Sequence, residues 1–200
     1  MNYESAYKKA VERFQALSLE EIEAFSGYTA VEQGIKINFL GQEFIVNHPE
    51  GRFTPLPDIS GELPVFAQIL ILHYLVNSSQ ADESGDLVSY KELPGGNIYI
   101  NPFTQRAVNP FVRIFGHKPD ALRGVAQLLG AEVTSLGDFS IRIRVFPRIP
   151  VTLVLWFGDD EFPPSGNILF DSSAPFILPT EDYAVLASLL VATLKKLSEK

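Results

Sequence analysis

Apolar residues recur at three- and four-residue intervals at the start of the chain and predict a helix there. Charged residues fill the positions between them, as expected for a helix with one buried face. The apolar positions are Ala6, Ala10, Phe14 and Leu17. Ser18 followed by Glu21 has the spacing of a capping box, and Gly27 is suited to a helix end. A second, shorter helix is therefore predicted between Ser18 and Gly27.

Strict alternation replaces this periodicity in two later parts of the chain and predicts β-strands. Apolar and polar residues alternate at residues 35–39 and 139–145, and Phe44 and Val46 of segment 44–46 continue the first of these patterns. The first two segments are joined by a short turn and predict a β-hairpin, and residues 132–136 are the expected hairpin partner of the third. Residues 151–157 are continuously apolar, which predicts a strand buried on both faces. Residues 168–170 predict one more short strand.

Four further helices are predicted beyond the first hairpin. They fall at residues 65–77, 103–115 and 119–129, and from residue 180 onward. The helix at 65–77 is apolar on nearly every side, so we expect it at the centre of the fold. Thr180 is expected to cap the last helix, and the carboxylates of Glu181 and Asp182 are favoured at the positive end of its dipole.

Irregular connections and short strands are expected between these helices. Residues 49–64 contain several Pro and Gly and predict a surface loop. Residues 78–86 are polar and predict a mobile connection. Short strands are expected at residues 88–90 and 97–100, on either side of a turn at residues 93–96.

Helices at both ends with hairpins between them indicate an α+β fold. We expect a mixed or mainly antiparallel sheet, packed by the N-terminal, central and C-terminal helices. A chain of 200 residues has the length of one ordinary domain. The predicted organisation is therefore a single domain over residues 1–200, with an N-terminal helical arm at 1–27 and the main body at 28–200.

The composition excludes several classes of function. The chain has no Cys, which excludes disulfides, Cys-ligated metal centres and a Cys nucleophile within it. Its net charge of −8, without a basic run, disfavours nucleic acid and anionic membrane surfaces. The first residues lack the apolar segment of a secretory signal, and the apolar stretch at 65–76 is shorter than the roughly 20 residues that span a bilayer. We expect a cytoplasmic protein with neither a nucleic-acid nor a membrane partner.

Acidic and aromatic residues are concentrated at the end of the apolar strand. The candidate ligand-binding residues there are Trp156, Asp159, Asp160, Glu161 and Phe162. Carboxylates at this density could bind Mg²⁺ or Ca²⁺, or act as general acid and base, although their spacing is not that of an EF-hand. The alternative is a solvated loop. Two prolines follow Phe162 and predict a stiff segment.

Three other groups are candidates for ligand binding. Asp171 adds a carboxylate close in sequence to the acidic segment. Arg142 and Arg144 share one face of a predicted strand and could bind a carboxylate or phosphate, or else form ion pairs with the acidic loop. Gly95 and Gly96 could present backbone N–H groups to an anion, or simply form a tight turn. The three histidines lack metal-ligand spacing, so no metal ligand is assigned.

Three segments of the chain carry a resemblance to a known family. They are WFGDDEFPPSGNILFDSSAPFILPTEDYAVLASLL, VSYKELPGGNIY and VFPRIPVTLVLW. Together they resemble the domain of unknown function 3786 family of bacteria and archaea, over roughly residues 35–197. The resemblance implies an organism with largely anaerobic metabolism. Some members of the family look like fusions to Cys-rich iron–sulfur modules, which this chain lacks. No established activity comes with the family.

These observations favour a binding module over an enzyme. Its small-molecule ligand or protein partner would lie on a surface formed by the loop at 156–162, the Asp171 segment and the turn at 95–96, with an anion contact from the two arginines. A carboxylate-dependent enzyme, assisted by a divalent metal, is the alternative and requires a deep pocket with at least one raised carboxyl pKa. A third hypothesis is an accessory subunit of a larger complex, with a contiguous exposed apolar patch. The sequence assigns no catalytic residue, cofactor or oligomeric state.

Overall fold

The computed structural model describes residues 3–56, 63–77 and 81–199. Its contacts divide the chain into two compact units. Unit 1 comprises Met1–Asp82, Phe146–Arg148 and Phe176–Leu178. Unit 2 comprises Glu83–Val145, Ile149–Pro175 and Pro179–Lys200.

Within the described residues, unit 1 contains three helices and a four-stranded sheet. The elements are α1 (Tyr3–Gln15), α2 (Leu19–Ser26), β1 (Thr29–Val31), β2 (Gly34–Phe39), β3 (Gln42–Asn47), β4 (Phe53–Pro55) and α3 (Val65–Asn77). The strands are antiparallel and follow the order β1-β2-β3-β4. The predicted hairpin is therefore confirmed as β2 and β3. Its two-residue turn, Leu40 and Gly41, has positive φ at both positions, the geometry that fits the twist of the strands.

The buried side chains of unit 1 explain why these segments form strands and helices. Side chains alternate along β2 between buried and exposed, so one face of the sheet is apolar. Helix α3 buries residues on nearly every side, as its sequence predicts. The Tyr74 ring stacks on Phe146 with 4.2 Å between the ring centroids, and its hydroxyl donates to the carbonyl of Ser26 at 2.6 Å. A buried Tyr hydroxyl needs such a partner, so this bond orients the ring in the core.

Unit 2 contains the second sheet and the remaining helices. Its strands are β5 (Leu87–Ser89), β6 (Glu132–Thr134), β7 (Phe139–Phe146, whose last residue belongs to unit 1), β8 (Ile149–Trp156) and β9 (Ser165–Asp171). Its helices are α4 (Gly96–Phe103), α5 (Asn109–Phe115), α6 (Pro119–Leu128) and α7 (Thr180–Ser198), with a π-helical stretch at Thr104–Val108 between α4 and α5. The strand order is β5-β9-β8-β7-β6, and the pairs β5–β9, β6–β7 and β8–β9 are antiparallel. Strand β8 lies in the middle and is buried in all but its last residue, as its apolar sequence predicts.

The prediction of an α+β fold with antiparallel strands is confirmed. Two local predictions in unit 2 are wrong. Residues 97–100 lie in helix α4, where Phe103 is buried and its ring stacks on Tyr90 at 4.0 Å between centroids. Thr180 does not cap α7: the cap position is Pro179, and the Thr180 hydroxyl donates to the carbonyl of Pro94 at 2.7 Å instead. In both places a tertiary contact overrides the local pattern.

Candidate functional site

The strongest candidate site comprises the last residue of β8 and most of the connection to β9, residues 156–162, named here the acidic-aromatic loop. Trp156 is the last residue of β8 and the first exposed residue after the buried part of that strand. The side chains of Trp156, Phe157 and Phe162 are 42%, 43% and 67% exposed. Three large aromatic side chains therefore face solvent at one end of the sheet. Single exposed apolar residues are common, but a group this large on one short loop is typical of an interaction site.

Asp159 holds the loop in one conformation. Its carboxylate accepts hydrogen bonds from the backbone N–H groups of Glu161 at 2.9 Å and Phe162 at 2.7 Å. Its own backbone N–H donates to the carbonyl of Phe162 at 2.9 Å. The backbone hydrogen bonds from Phe162 and Glu161 hold the pKa of the Asp159 carboxyl below its ordinary value. This carboxylate shapes the turn and is already engaged.

The turn between β6 and β7 supports the start of the loop. The Asp138 carboxylate accepts a hydrogen bond from the backbone N–H of Phe157 at 2.7 Å, and the Asp138 N–H donates to the carbonyl of Leu155 at 3.0 Å. Gly137 has a φ of +57°, and a Cβ there would lie 2.8 Å from the Leu155 carbonyl oxygen. Only glycine permits both the conformation and the close approach. Asp138 was missed in the sequence, where its position after Gly137 indicates a turn and nothing more.

Pro164, two residues beyond the loop, packs closely against two glycines and supports its other end. Its ring lies so close to Gly116 and Gly158 that a Cβ on either glycine would come within 2.9 Å of a Pro164 atom. Gly116 follows the last residue of α5, so the loop returns against the end of that helix. The prediction of a stiff segment agrees with these contacts at both ends.

Two carboxylates of the loop remain directed at solvent. Asp160 and Glu161 are exposed, and neither side chain has an ion-pair partner among the residues that the structure describes. The loop thus uses Asp159 to form its turn and leaves Asp160 and Glu161 exposed on the same segment as the exposed aromatic rings. Such a surface can bind a partner that offers both apolar area and positive charge.

Asp171 lies away from this loop and is buried. It is the last residue of β9, whereas Trp156 pairs with Ser165 at the first residue of that strand. Six residue steps along an extended strand span about 20 Å. Asp171 is 3% exposed, so it does not share a solvent-facing surface with the loop. The expected grouping of the two is wrong, because β9 carries them to opposite ends of the sheet.

The Asp171 carboxylate is saturated by donors from its own unit. It accepts from the N–H and hydroxyl of Ser84, both at 3.0 Å, from the N–H of Gly85 at 2.8 Å and from the N–H of Ser173 at 2.9 Å. Burial raises the pKa of this carboxyl, but the hydrogen bonds from Ser173, Ser84 and Gly85 outweigh burial and hold the pKa far below its ordinary value. A carboxylate has about four acceptor positions, so little capacity remains for a ligand.

Arg142 and Arg144 form ion pairs with a residue that the sequence analysis did not single out. Both guanidinium groups donate to the carboxylate of Glu83, one to each oxygen. The expected pairing with the acidic loop is wrong: Arg144 lies six residues beyond Asp138 on β7, about 20 Å along the strand from the loop. Of the predicted mobile connection, residues 78–80 lie outside the described residues, and residues 83–85 are held by these pairs and by Asp171.

Gly95 and Gly96 have structural reasons to be glycine. Gly95 has a φ of +74°, and a Cβ on Gly96 would lie 1.9 Å from the carbonyl oxygen of Tyr90. The Gly96 N–H donates to the carbonyl of Leu93 at 2.8 Å, so it is not free for an anion. The turn lies beside Thr180 at the start of α7, through the hydrogen bond to Pro94.

Two open clefts of the described residues lie in unit 1. One is lined by Gln33, Asn47, Glu50, Arg52, Phe53 and Thr54, and the other by Gly27, Tyr28, Thr29, Lys36, Ile37, Asn38 and Glu43. Neither is lined by a predicted site residue. Within residues 3–56, 63–77 and 81–199, no group of three or more His, Asp or Glu side chains could hold a metal ion. No helix in that part of the chain is long and apolar enough to cross a membrane.

The molecule is an α+β protein with two antiparallel sheets and a stiff, acidic and aromatic loop. Residues 18–193 match the family described as domain of unknown function (DUF3786), and the chain belongs to that family. The resemblance seen in the sequence is thereby confirmed, and the match begins before residue 35, where the resemblance was first placed. None of the curated proteins and none of the solved structures matches the chain.

Proposed function

We propose that this protein is a binding module that holds a protein partner on its acidic-aromatic loop. The observation that carries the proposal is the exposure of Trp156, Phe157 and Phe162 on a loop that hydrogen bonds and proline contacts hold in place. Burying one such side chain in an interface stabilises a complex by about 1.5–3 kcal/mol. Trp is also among the residues that most often dominate binding energy.

The stiffness of the loop supports the same proposal. A loop that is ordered before binding loses little conformational entropy in the complex, so more of the contact energy appears as affinity. Asp138 and Asp159 supply this order with their carboxylates.

A protein partner is favoured over a small-molecule ligand by the shape of the surroundings. Small ligands are mostly held in clefts that enclose much of their surface. Two open clefts of the described residues are lined by residues 27–54, and the loop lines neither. Aromatic side chains such as these are enriched in protein–protein interfaces.

The alternative of a carboxylate-dependent enzyme receives no support from the carboxyl pKa values. General acid–base catalysis near neutral pH is favoured by a carboxyl with a raised pKa. The hydrogen bonds to Asp159 and to Asp171 hold both carboxyl pKa values below the ordinary value. Both groups stay ionised and engaged, which fits a structural role.

We place this module in the cytoplasm of an organism with largely anaerobic metabolism, as an accessory protein. The family resemblance supports the metabolic setting, and the absence of Cys is compatible with a reducing compartment. No nucleic-acid partner is proposed, because a net charge of −8 opposes binding to phosphates.

Capture followed by reconstitution tests the proposal. The chain, immobilised, is exposed to anaerobic lysate, captured proteins are identified by mass spectrometry, and the strongest is purified for affinity measurement. We expect Phe162→Ala to raise the dissociation constant of the complex about tenfold, the equivalent of about 1.4 kcal/mol in binding free energy. Ile98→Ala removes a similarly exposed apolar side chain from α4, 76% exposed, and serves as the matched control. Equal affinities for the wild type and the two variants would overturn the assignment of the loop.

A further inference from the structure

We infer that the acidic-aromatic loop recognises an arginine-containing segment of its partner. The inference rests on the proposed function and names the chemistry of the group that the loop binds. The guanidinium would stack on an exposed aromatic ring while Asp160 and Glu161 accept its N–H groups. Neither the charge nor the rings alone would define this partner, but their combination does.

The charge of the loop is the first observation. Residues 156–162 read WFGDDEF and contain three carboxylates and no cation. Some carboxylates of unit 2 have cationic neighbours within the fold, since Glu83 accepts from two arginines and Asp120 lies 3.9 Å from Arg123. Asp160 and Glu161 have no such neighbour among the described residues. A positively charged partner supplies what this part of the surface lacks.

The aromatic rings are the second observation. Rings within the two cores contact one another, as Tyr90 and Phe103 do. In the described part of the chain, the rings of Trp156, Phe157 and Phe162 make no ring contact and lie under no cation. The same unit shows the arrangement that we infer, because the Arg123 guanidinium lies 4.7 Å from the centre of the Phe139 ring. Trp is the ring on which a cation binds best.

Arginine fits the surface better than lysine. The guanidinium is planar and stacks on a ring face, and its fork of N–H groups can reach two carboxylate oxygens at once. It is also more weakly hydrated than an ammonium group, so it loses less on entering a partly apolar contact. Repulsion from the loop carboxylates disfavours an anionic segment at this surface.

The fluorescence of Trp156 provides a direct measurement, because Trp156 is the only Trp in the chain. Three peptides of equal length, with Gly and Ser spacers, carry Arg, Lys or Glu at the same positions and are titrated into the full chain. We expect the Arg peptide to change the Trp156 fluorescence in a saturable way. The Lys peptide should bind at least about threefold more weakly, and the Glu peptide should cause no fluorescence change. The dissociation constant of the Arg peptide should rise with salt.

Charge variants separate a local contact from the general charge of the protein. The double variant Asp160→Asn with Glu161→Gln should raise the dissociation constant of the Arg peptide about tenfold, because it removes the charge of both proposed acceptors. Glu12→Gln with Glu32→Gln removes two exposed carboxylates of unit 1 and is the matched control. Both double variants change the net charge from −8 to −8 + 2 = −6, and both retain Trp156.

The outcomes distinguish the inference from the proposed function. Equal binding of the Arg and Lys peptides, or equal weakening in the two double variants, would overturn the arginine assignment. If no cationic peptide binds while Phe162→Ala still weakens the reconstituted complex, the inference fails and the proposed function stands. If Phe162→Ala also leaves that complex unchanged, both fail.

Discussion

The carboxylate of Asp138 accepts a hydrogen bond from the backbone N–H of Phe157, 19 residues further along the chain, at 2.7 Å. This bond joins the β6–β7 turn to the acidic-aromatic loop at the residue where the buried part of the sheet ends. The loop conformation therefore depends on a residue outside the loop. It follows that the order of the exposed rings can be changed without touching them.

Replacing Asp138 by Ala should loosen the start of the loop. The Phe157 N–H loses its acceptor, and we expect a loss of about 1–2 kcal/mol in the free energy of unfolding. Amide hydrogen exchange at Phe157 should become faster, which NMR or mass spectrometry can measure. Asp138→Asn retains a side-chain oxygen and serves as the control. Unchanged exchange at Phe157 in Asp138→Ala would show that the bond does not order the loop.

Asp171 should make the stability of the protein depend on acid pH. Its pKa is lower in the folded protein than the ordinary value near 4, so its contribution is present at neutral pH and is lost as the pH falls below about 4. At pH 7 we expect Asp171→Asn to lower the free energy of unfolding by about 3 kcal/mol.

Urea unfolding of the wild type and Asp171→Asn at pH 7 and pH 3 measures this dependence. The difference between the two proteins should be smaller at pH 3, because the Asp171 carboxyl is then protonated in the unfolded wild type and must lose its proton on folding. Asp159→Asn, at an exposed carboxyl with a lowered pKa, is the comparison and should show a smaller effect. A difference that is constant with pH would contradict the assigned role of Asp171.

Glu83 should couple more strongly to Arg142 than to Arg144. The Arg142 side chain is 28% exposed and the Arg144 side chain 54%, so solvent screens the second pair more. Double-mutant cycles with Glu83→Gln and either arginine replaced by Met give the two coupling energies. We expect about 1 kcal/mol for the Arg142 cycle and less for the Arg144 cycle. The reverse order would mean that exposure does not control these pairs.

Three glycine substitutions should have different effects on stability. Gly96→Ala places a Cβ 1.9 Å from the Tyr90 carbonyl oxygen and should be the most destabilising, by more than about 2 kcal/mol. Gly95→Ala meets no atom within 4 Å but keeps a φ of +74°, and should lower the free energy of unfolding by about 1 kcal/mol.

Gly124→Ala is the control for these two variants. Gly124 lies inside α6 with open space around it, so Ala should stabilise that helix by up to about 1 kcal/mol. Thermal unfolding of the three variants gives the order directly. If Gly96→Ala were tolerated as well as Gly95→Ala, the close approach to Tyr90 would not be required for folding.

The chain should unfold in a single transition, as the prediction of one domain over residues 1–200 requires. The polypeptide passes from one unit to the other at five points, after residues 82, 145, 148, 175 and 178, so neither unit is one continuous segment. Trp156 fluorescence reports on unit 2, and far-UV circular dichroism reports on the whole chain. We expect the two unfolding curves to coincide and the calorimetric and van't Hoff enthalpies to agree. Two separate transitions would show that the units unfold independently.

The local features of the fold follow from nearby residues and could be predicted. Ser18 and Glu21 form the capping box expected from their spacing, with both reciprocal hydrogen bonds present. The alternation in β2 and the continuous apolar run in β8 correctly indicated one strand with a solvent face and one buried on both faces. In each case the determinant is periodicity or a contact within a few residues.

The sequence predicted only those features of the candidate site that depend on residues within the loop itself. Trp156 and Phe162 stand out as aromatic residues in an acidic segment, and the turn that exposes them is formed by Asp159 within the same segment. The support from Asp138 was not predicted, because a residue in a turn gives no local sign of its distant partner. The sequence can mark the segment but not what fixes its conformation.

The sequence by itself determined the α+β class, most of the elements and the acidic-aromatic character of residues 156–162. Only the tertiary structure decided that Arg142 pairs with Glu83, 59 residues away, and that Asp171 is buried at the opposite end of β9 from the loop. The physical reason is that periodicity and capping act over a few residues, whereas the partner of a charged side chain depends on which distant segments the sheet brings together.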